Sequence, residues 1–194
     1  MKRRTYLASI CSAGIMATSG CNTIAGNQTL SDPTVHTESP GKKGLIFTSN
    51  DEEVGDFGVD GSVVSNRIDL STEIPHRDGT NIKSIKLRIW MPEIATESPA
   101  KVAVISPVEG DSSPPPSLSL YTPDQALGTV IEITDLDDLA DETISTLDLI
   151  VIPESETATQ LNIHVTIDLA GSEFLSSDYT LDGELQLEYP ELAN

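Results

Sequence analysis

Thiols, cations, aromatic rings and long apolar runs are all scarce in this chain, and each scarcity removes a class of explanation. The two cysteines, Cys11 and Cys21, both lie near the start. A domain downstream of them must stand on its core, because no disulfide can form within it. Tetrahedral thiolate metal centres are excluded by the same count. Lysine and arginine number 11 against 31 aspartates and glutamates, a net charge of −20. That balance argues against nucleic acid, whose phosphates reward cations, and against electrostatic binding to anionic lipid head groups. The three histidines, His36, His76 and His164, have no partner at a spacing that suggests a base or a ligand pair. No Gly-x-Ser-x-Gly elbow, His-Glu-x-x-His pair, phosphate loop or Gly-x-Gly-x-x-Gly fingerprint occurs. No apolar run reaches the roughly 20 residues that cross a bilayer.

What is present begins at the first residues. Lys2, Arg3 and Arg4 precede an apolar or small-residue stretch from Leu7 to Ala17, followed by Thr18-Ser19-Gly20-Cys21. Basic, apolar and small-residue parts in that order are the layout of a secretory signal. The Arg3-Arg4 pair, followed two residues later by Tyr6-Leu7, resembles the twin-arginine export signal. Ser19-Gly20-Cys21 resembles the lipobox of lipoproteins, with Thr18 where a large aliphatic residue usually stands. That resemblance implies cleavage before Cys21, lipid on its sulfur, and removal of Cys11 with the signal. A single short acyl chain holds only marginally, so a stable anchor implies two chains.

The three cations leave with the signal. The remainder keeps 8 of the 11 lysines and arginines against all 31 acids, a net charge of −23. Self-repulsion on this scale destabilises a compact chain in dilute buffer, and becomes tolerable when molar salt shortens the Debye length to about 3 Å. Acidic excess, scarce lysine and the arginine-pair signal together resemble exported surface lipoproteins of halophilic archaea. The motif-level part of that resemblance covers residues 1–21; beyond them it is compositional. It implies a cell-surface location in strong salt.

Three parts are expected: a signal peptide over 1–20, a lipidated flexible tether over 21–43, and one domain over 44–194. The tether is rich in Thr, Ser, Gly, Asn and Pro, a composition that cannot bury enough surface to offset its ordering entropy. Asn27-Gln28-Thr29 within it matches the glycosylation acceptor pattern. Strands are expected at Leu45–Thr48, at Ser62–Leu70 after an Asp60-Gly61 turn, and at Ile82–Met91, Lys101–Ser106, Leu118–Tyr121, Gly128–Thr134, Leu147–Ile152, Gln160–Ala170 and Thr180–Tyr189. In Gln160–Ala170, Leu161, Ile163, Val165, Ile167 and Leu169 alternate with Asn162, His164, Thr166 and Asp168, the mark of a sheet with one buried and one wet face. A helix is expected across Asp135–Asp141, capped by Thr134. The whole reads as all-β: a single Ig-like antiparallel β-sandwich with one short helix.

Acidic clusters are the only candidates for a metal. Asp56–Gly61 matches the opening of a calcium loop at its first, fifth and sixth positions but has Arg67 where a bidentate glutamate belongs. Asp135, Asp137, Asp138 and Asp141 are a denser set without a central glycine, and in so acidic a chain a solvated surface accounts for them. Trp90, Tyr121 and Tyr189 can each be read as core or as an exposed anchor. No cofactor and no catalytic residue are expected. The reading is a non-enzymatic, lipid-anchored surface module with a structural or recognition role and an envelope protein as its partner. The alternative is a solute- or ion-binding lipoprotein serving a transporter, which a deep pocket with convergent polar groups would favour. A secreted hydrolase would need a catalytic constellation assembled from distant strands.

Overall fold

A computed structural model describes residues 26–92, 101–106, 117–124, 126–136, 145–153, 158–171 and 177–193. The described chain forms β1 (Gln28–Leu30), β2 (Thr34–Ser39), β3 (Lys42–Ser49), β4 (Glu52–Val64), β5 (Arg67–Ile74) and β6 (Thr80–Trp90). These are followed by β7 (Lys101–Ser106), β8 (Ser117–Tyr121), β9 (Thr129–Thr134), β10 (Ser145–Ile152), β11 (Gln160–Gly171) and β12 (Tyr179–Glu188). They build two six-stranded sheets, ordered β1-β12-β11-β6-β9-β8 and β2-β3-β4-β5-β10-β7. Every pairing is antiparallel except that of β1 with β12. The expected all-β sandwich is therefore what the chain forms.

Alternation sets the core. On β11, Leu161, Ile163, Val165, Ile167 and Leu169 are buried, and the intervening residues are half-buried on the outer face. Register joins them to their neighbours in rows across the sheet: Ile89–Ile163–Leu185, Leu87–Val165–Gly183 and Ile85–Ile167–Leu181. The second row lacks a side chain at Gly183, and sheet two fills the gap. A Cβ there would lie 2.8 Å from Leu45 Cδ1 and 3.2 Å from Phe47 Cζ, so only glycine lets these side chains reach β12.

Four expectations need correction. The first concerns residues 21–43. From Gln28 on they are sheet, not tether: β1 pairs with β12, and β2 and the start of β3 pair with one another and with β4. Composition misled because β2 is exposed at all six positions. It is an edge strand held by main-chain hydrogen bonds rather than by side-chain burial.

The second concerns Asp60-Gly61, which lies inside β4 rather than at a turn, with Lys42 opposite Asp60 and Leu70 opposite Gly61. Gly61 is needed for close approach: a Cβ there would come within 2.6 Å of Leu70 Cδ2 and closer still to the Tyr189 hydroxyl. The chain reverses instead at Ser65-Asn66, with Ser65 at φ 61°. The expected strand Ser62–Leu70 thus straddles a hairpin.

Third, Asp56–Gly61 is continuous strand, paired with β3 over Asp56–Asp60 and with β5 over Gly58–Gly61, not a calcium loop. Fourth, the helix expected from Asp135 does not start there, since Asp135 has φ 61°, a left-handed conformation. Residues 137–141 of that expected helix lie outside the described residues. The described helical turn is a 3-10 turn at Pro190–Ala193. No described helix is long and apolar enough to cross a membrane.

Candidate functional site

The outer face of sheet two carries a candidate site. His36 on β2, Gly44 on β3, Gly58 on β4 and Glu73 on β5 stand in one row across four strands. With no side chains at its centre, this row is sunken between the next row, Lys42, Asp60 and Ser71, and Asp56 on the other side. The result is a groove of about 220 Å³ rimmed by His36, Glu38, Lys42, Asp56, Asp60 and Glu73. Packing does not require glycine at its floor. A Cβ on Gly58 would meet nothing closer than 3.8 Å, and one on Gly44 nothing closer than 3.4 Å. Glycine inside a strand weakens it and often marks a place where a ligand or another backbone comes close.

The groove has an acidic wall and one tethered cation. Lys42 Nζ lies 3.0 Å from Glu38 Oε2 and 3.9 Å from Asp60 Oδ2. The hydrogen bond to Glu38 is the main cause of an upward shift in the Lys42 pKa. Asp56 is half-buried, and its Oδ1 is shielded from solvent without a hydrogen-bond partner. Burial pushes its carboxyl above the usual aspartate range, with Glu53 and Glu73 adding to the shift and the Phe57 main-chain N–H and His36 opposing it. Such a wall can attract a cationic or hydrogen-bond-donating group. It holds no nucleophile paired with a base. Among the described residues, no three His, Cys, Asp or Glu side chains converge as a metal site.

A family model described as "Domain of unknown function (DUF8121)" matches residues 27–191. The chain belongs to this family. The DUF8121 match starts one residue before β1 and ends inside the 3-10 turn, so it coincides with the sandwich and includes the strands that composition assigned to a tether.

No curated protein matches the chain. Among solved structures, the human F-spondin reeler domain is similar at 9% identity over 69% of this chain and 86% of its own, with a TM-score of 0.38. A structure titled as manganese lipoxygenase of Gaeumannomyces graminis with a partial zonadhesin of Komagataella pastoris is similar at 16% identity. It covers 81% of this chain and 56% of its own, with a TM-score of 0.35. The yeast delta-COP-I mu-homology domain is similar at 12% identity over 68% and 54% of the two chains, with a TM-score of 0.31.

The residues singled out from the DUF8121 sequence are scattered. Arg3, Arg4 and Cys21 lie outside the described residues, as do Asp137, Asp138 and Asp141. Asp135 follows β9 on the surface, where Thr134 Oγ1 donates to its Oδ2 at 3.4 Å. Asn27 is exposed next to β1, and its Nδ2, the atom a sugar would take, donates to Thr180 Oγ1 at 2.9 Å. His164 Nε2 lies 3.1 Å from Asp182 Oδ1 on the wet face expected for it. His76 Nδ1 lies 3.0 Å from Thr80 Oγ1.

Trp90 is neither core nor free anchor: it is half-buried on an outer face, with the Arg88 guanidinium 4.3 Å from its ring centroid. Tyr189 is core at 3% exposure and Tyr121 is exposed at 40%. Burial, with Asp60 and Glu191 adding to it, raises the Tyr189 hydroxyl pKa well above its ordinary value. Sequence reasoning missed the groove altogether. The available signal was Gly44 and Gly58, each interrupting an apolar alternation without a turn residue beside it.

Proposed function

We propose that this DUF8121 chain is an exported, lipid-anchored surface module, non-enzymatic, that presents a β-sandwich for a structural or recognition role in the envelope of a cell living in strong salt. The observation that carries this reading is the position of the sandwich relative to Cys21. Only Asn22 to Asn27 stand between Cys21 and β1, a connection that spans at most about 25 Å. β1 starts beside Tyr179, the first residue of β12, and β12 then runs its 10 residues to Glu188 at the opposite end. The far end therefore stands about 30 Å beyond the entry point. That geometry suits a domain held upright on a short leash, with the 3-10 turn and the Ser65-Asn66 reversal turned outward.

The groove supports a subordinate reading as a solute or ion binder. At about 220 Å³ it is smaller than the roughly 300–1,000 Å³ of ordinary ligand pockets, which favours the module over solute capture. The test is fractionation of cells expressing Cys21→Ser at native salt. Nearly all of the variant should move from the membrane to the soluble and extracellular fractions. A variant that stays membrane-bound at the level of the unmodified chain would place the anchor elsewhere.

A further inference from the structure

The apolar surface of the described sandwich is concentrated at one place. Of the seven large hydrophobic residues that are exposed among the described residues, four lie on β8 or in its hairpin loop to β9: Leu118, Leu120, Tyr121 and Leu127. β8 is the outer strand of sheet one, paired with β9 alone and exposed at all five positions. An edge strand presents a row of unpaired N–H and C=O groups, and proteins normally blunt it with charge, proline, a bulge or extreme shortness.

The other three edges carry such devices. β1 has three residues; β2 carries His36 and Glu38 and a register shift; β7 has an extra residue at a register shift against β10. β8 reads Ser117-Leu118-Ser119-Leu120-Tyr121, uncharged, and pairs with β9 without a shift. In a chain of net charge −20, an uncharged edge is where a second, equally acidic copy can approach most closely.

We propose that β8 is a self-association edge, joining two copies of this chain through antiparallel β8–β8 pairing about a two-fold axis at Ser119. That register gives β8 its greatest overlap. It places Leu118 opposite the partner copy's Leu120, and Ser117 opposite its Tyr121. Leu118 and Leu120 pair with Ile133 and Ile131 of β9, both fully buried, so the junction continues the apolar inner stripe from one copy into the other. The two six-stranded sheets would merge into one.

The nearest strand charge, Glu132 on β9, stands opposite Ser119, and the Tyr121 hydroxyl donates to it at 3.3 Å. Across the junction the two Glu132 side chains would be three strand spacings apart, about 14 Å. That exceeds the Debye length at physiological ionic strength, about 8 Å. The remaining cost is the long-range repulsion of two acidic bodies, which salt screens. Association therefore strengthens as salt rises, the reverse of an interface built on ion pairs.

The test is disulfide trapping of the full chain at high salt. Directly opposite residues of an antiparallel pair have Cα atoms about 4.5–5.5 Å apart, within the range a disulfide bridges. Ser119→Cys should oxidise to a species of twice the chain mass. Ser117→Cys, displaced by four residues from its own copy, should give no more than the unmodified chain with Cys11 and Cys21 alone. Leu120→Lys, which puts a charge at the junction, should sediment as a monomer while keeping the far-ultraviolet circular dichroism of the unmodified chain. Equal trapping of Ser119→Cys and Ser117→Cys, a disulfide product of another mass, or a Leu120→Lys chain that still self-associates would overturn the proposal. The outcome does not depend on whether Cys21 is lipidated.

Discussion

Transferring the domain from about 4 M to about 0.1 M salt should lower its melting temperature by about 10 °C or more. The cause is the imbalance of charge after Cys21, where 8 lysines and arginines face 31 acids. Among the described residues, the ion pairs that offset this charge are solvent-exposed. Lys42 pairs with Glu38 and Asp60, Arg67 with Asp69, Arg77 with Glu52 and Lys83 with Asp178, all with side chains 35–65% exposed. Exposed pairs of this kind each contribute about 0–1 kcal/mol, too little to offset the repulsion among the remaining carboxylates. Lengthening the Debye length from about 3 Å to about 10 Å lets those carboxylates act across most of the sandwich surface. A loss of about 3 kcal/mol corresponds to about 10 °C for a domain of this size. Calorimetry across a salt series measures it, and a melting point unchanged across that range would sink the account of the composition.

Phe47→Ala should cost about 3–5 kcal/mol, a large part of the total of about 5–15 kcal/mol that a domain has. Phe47 is fully buried and reaches across from sheet two to the Gly183 position of β12, where no side chain can take its place. Around it Leu45 is already in contact with the same backbone, and β3 and β12 are each fixed by two neighbouring strands. The site therefore cannot collapse, and the missing ring becomes a cavity between the sheets. Chemical denaturation at constant high salt gives the value. A loss below about 1 kcal/mol would mean that the two sheets do not meet at Gly183 as described.

The strands legible in the sequence are those with one buried and one wet face. β11 and the 85–89 stretch of β6 were readable because every second residue is Ile, Leu or Val, and the structure buries those residues. β2 was unreadable because none of its six residues is buried; its reason for being a strand lies in β3, which a sequence scan does not place beside it. The β4–β5 hairpin was misplaced for a related reason. Gly61 looks like punctuation in sequence, whereas its role is to let Tyr189 approach from more than a hundred residues away. The groove was hidden on the same principle, since His36, Gly44, Gly58 and Glu73 come from four strands and become neighbours only through register. Local pattern reports on a residue's own strand; a site built across strands needs the pairing.

We propose that lipid on Cys21 holds the sandwich at a membrane. This is tested most directly by the mass of the amino-terminal peptide of the protein extracted from membranes at native salt. The expected peptide begins at Cys21 and carries two lipid chains, with no free thiol. A peptide that begins elsewhere, or one that begins at Cys21 with its thiol free to react, would contradict the proposal.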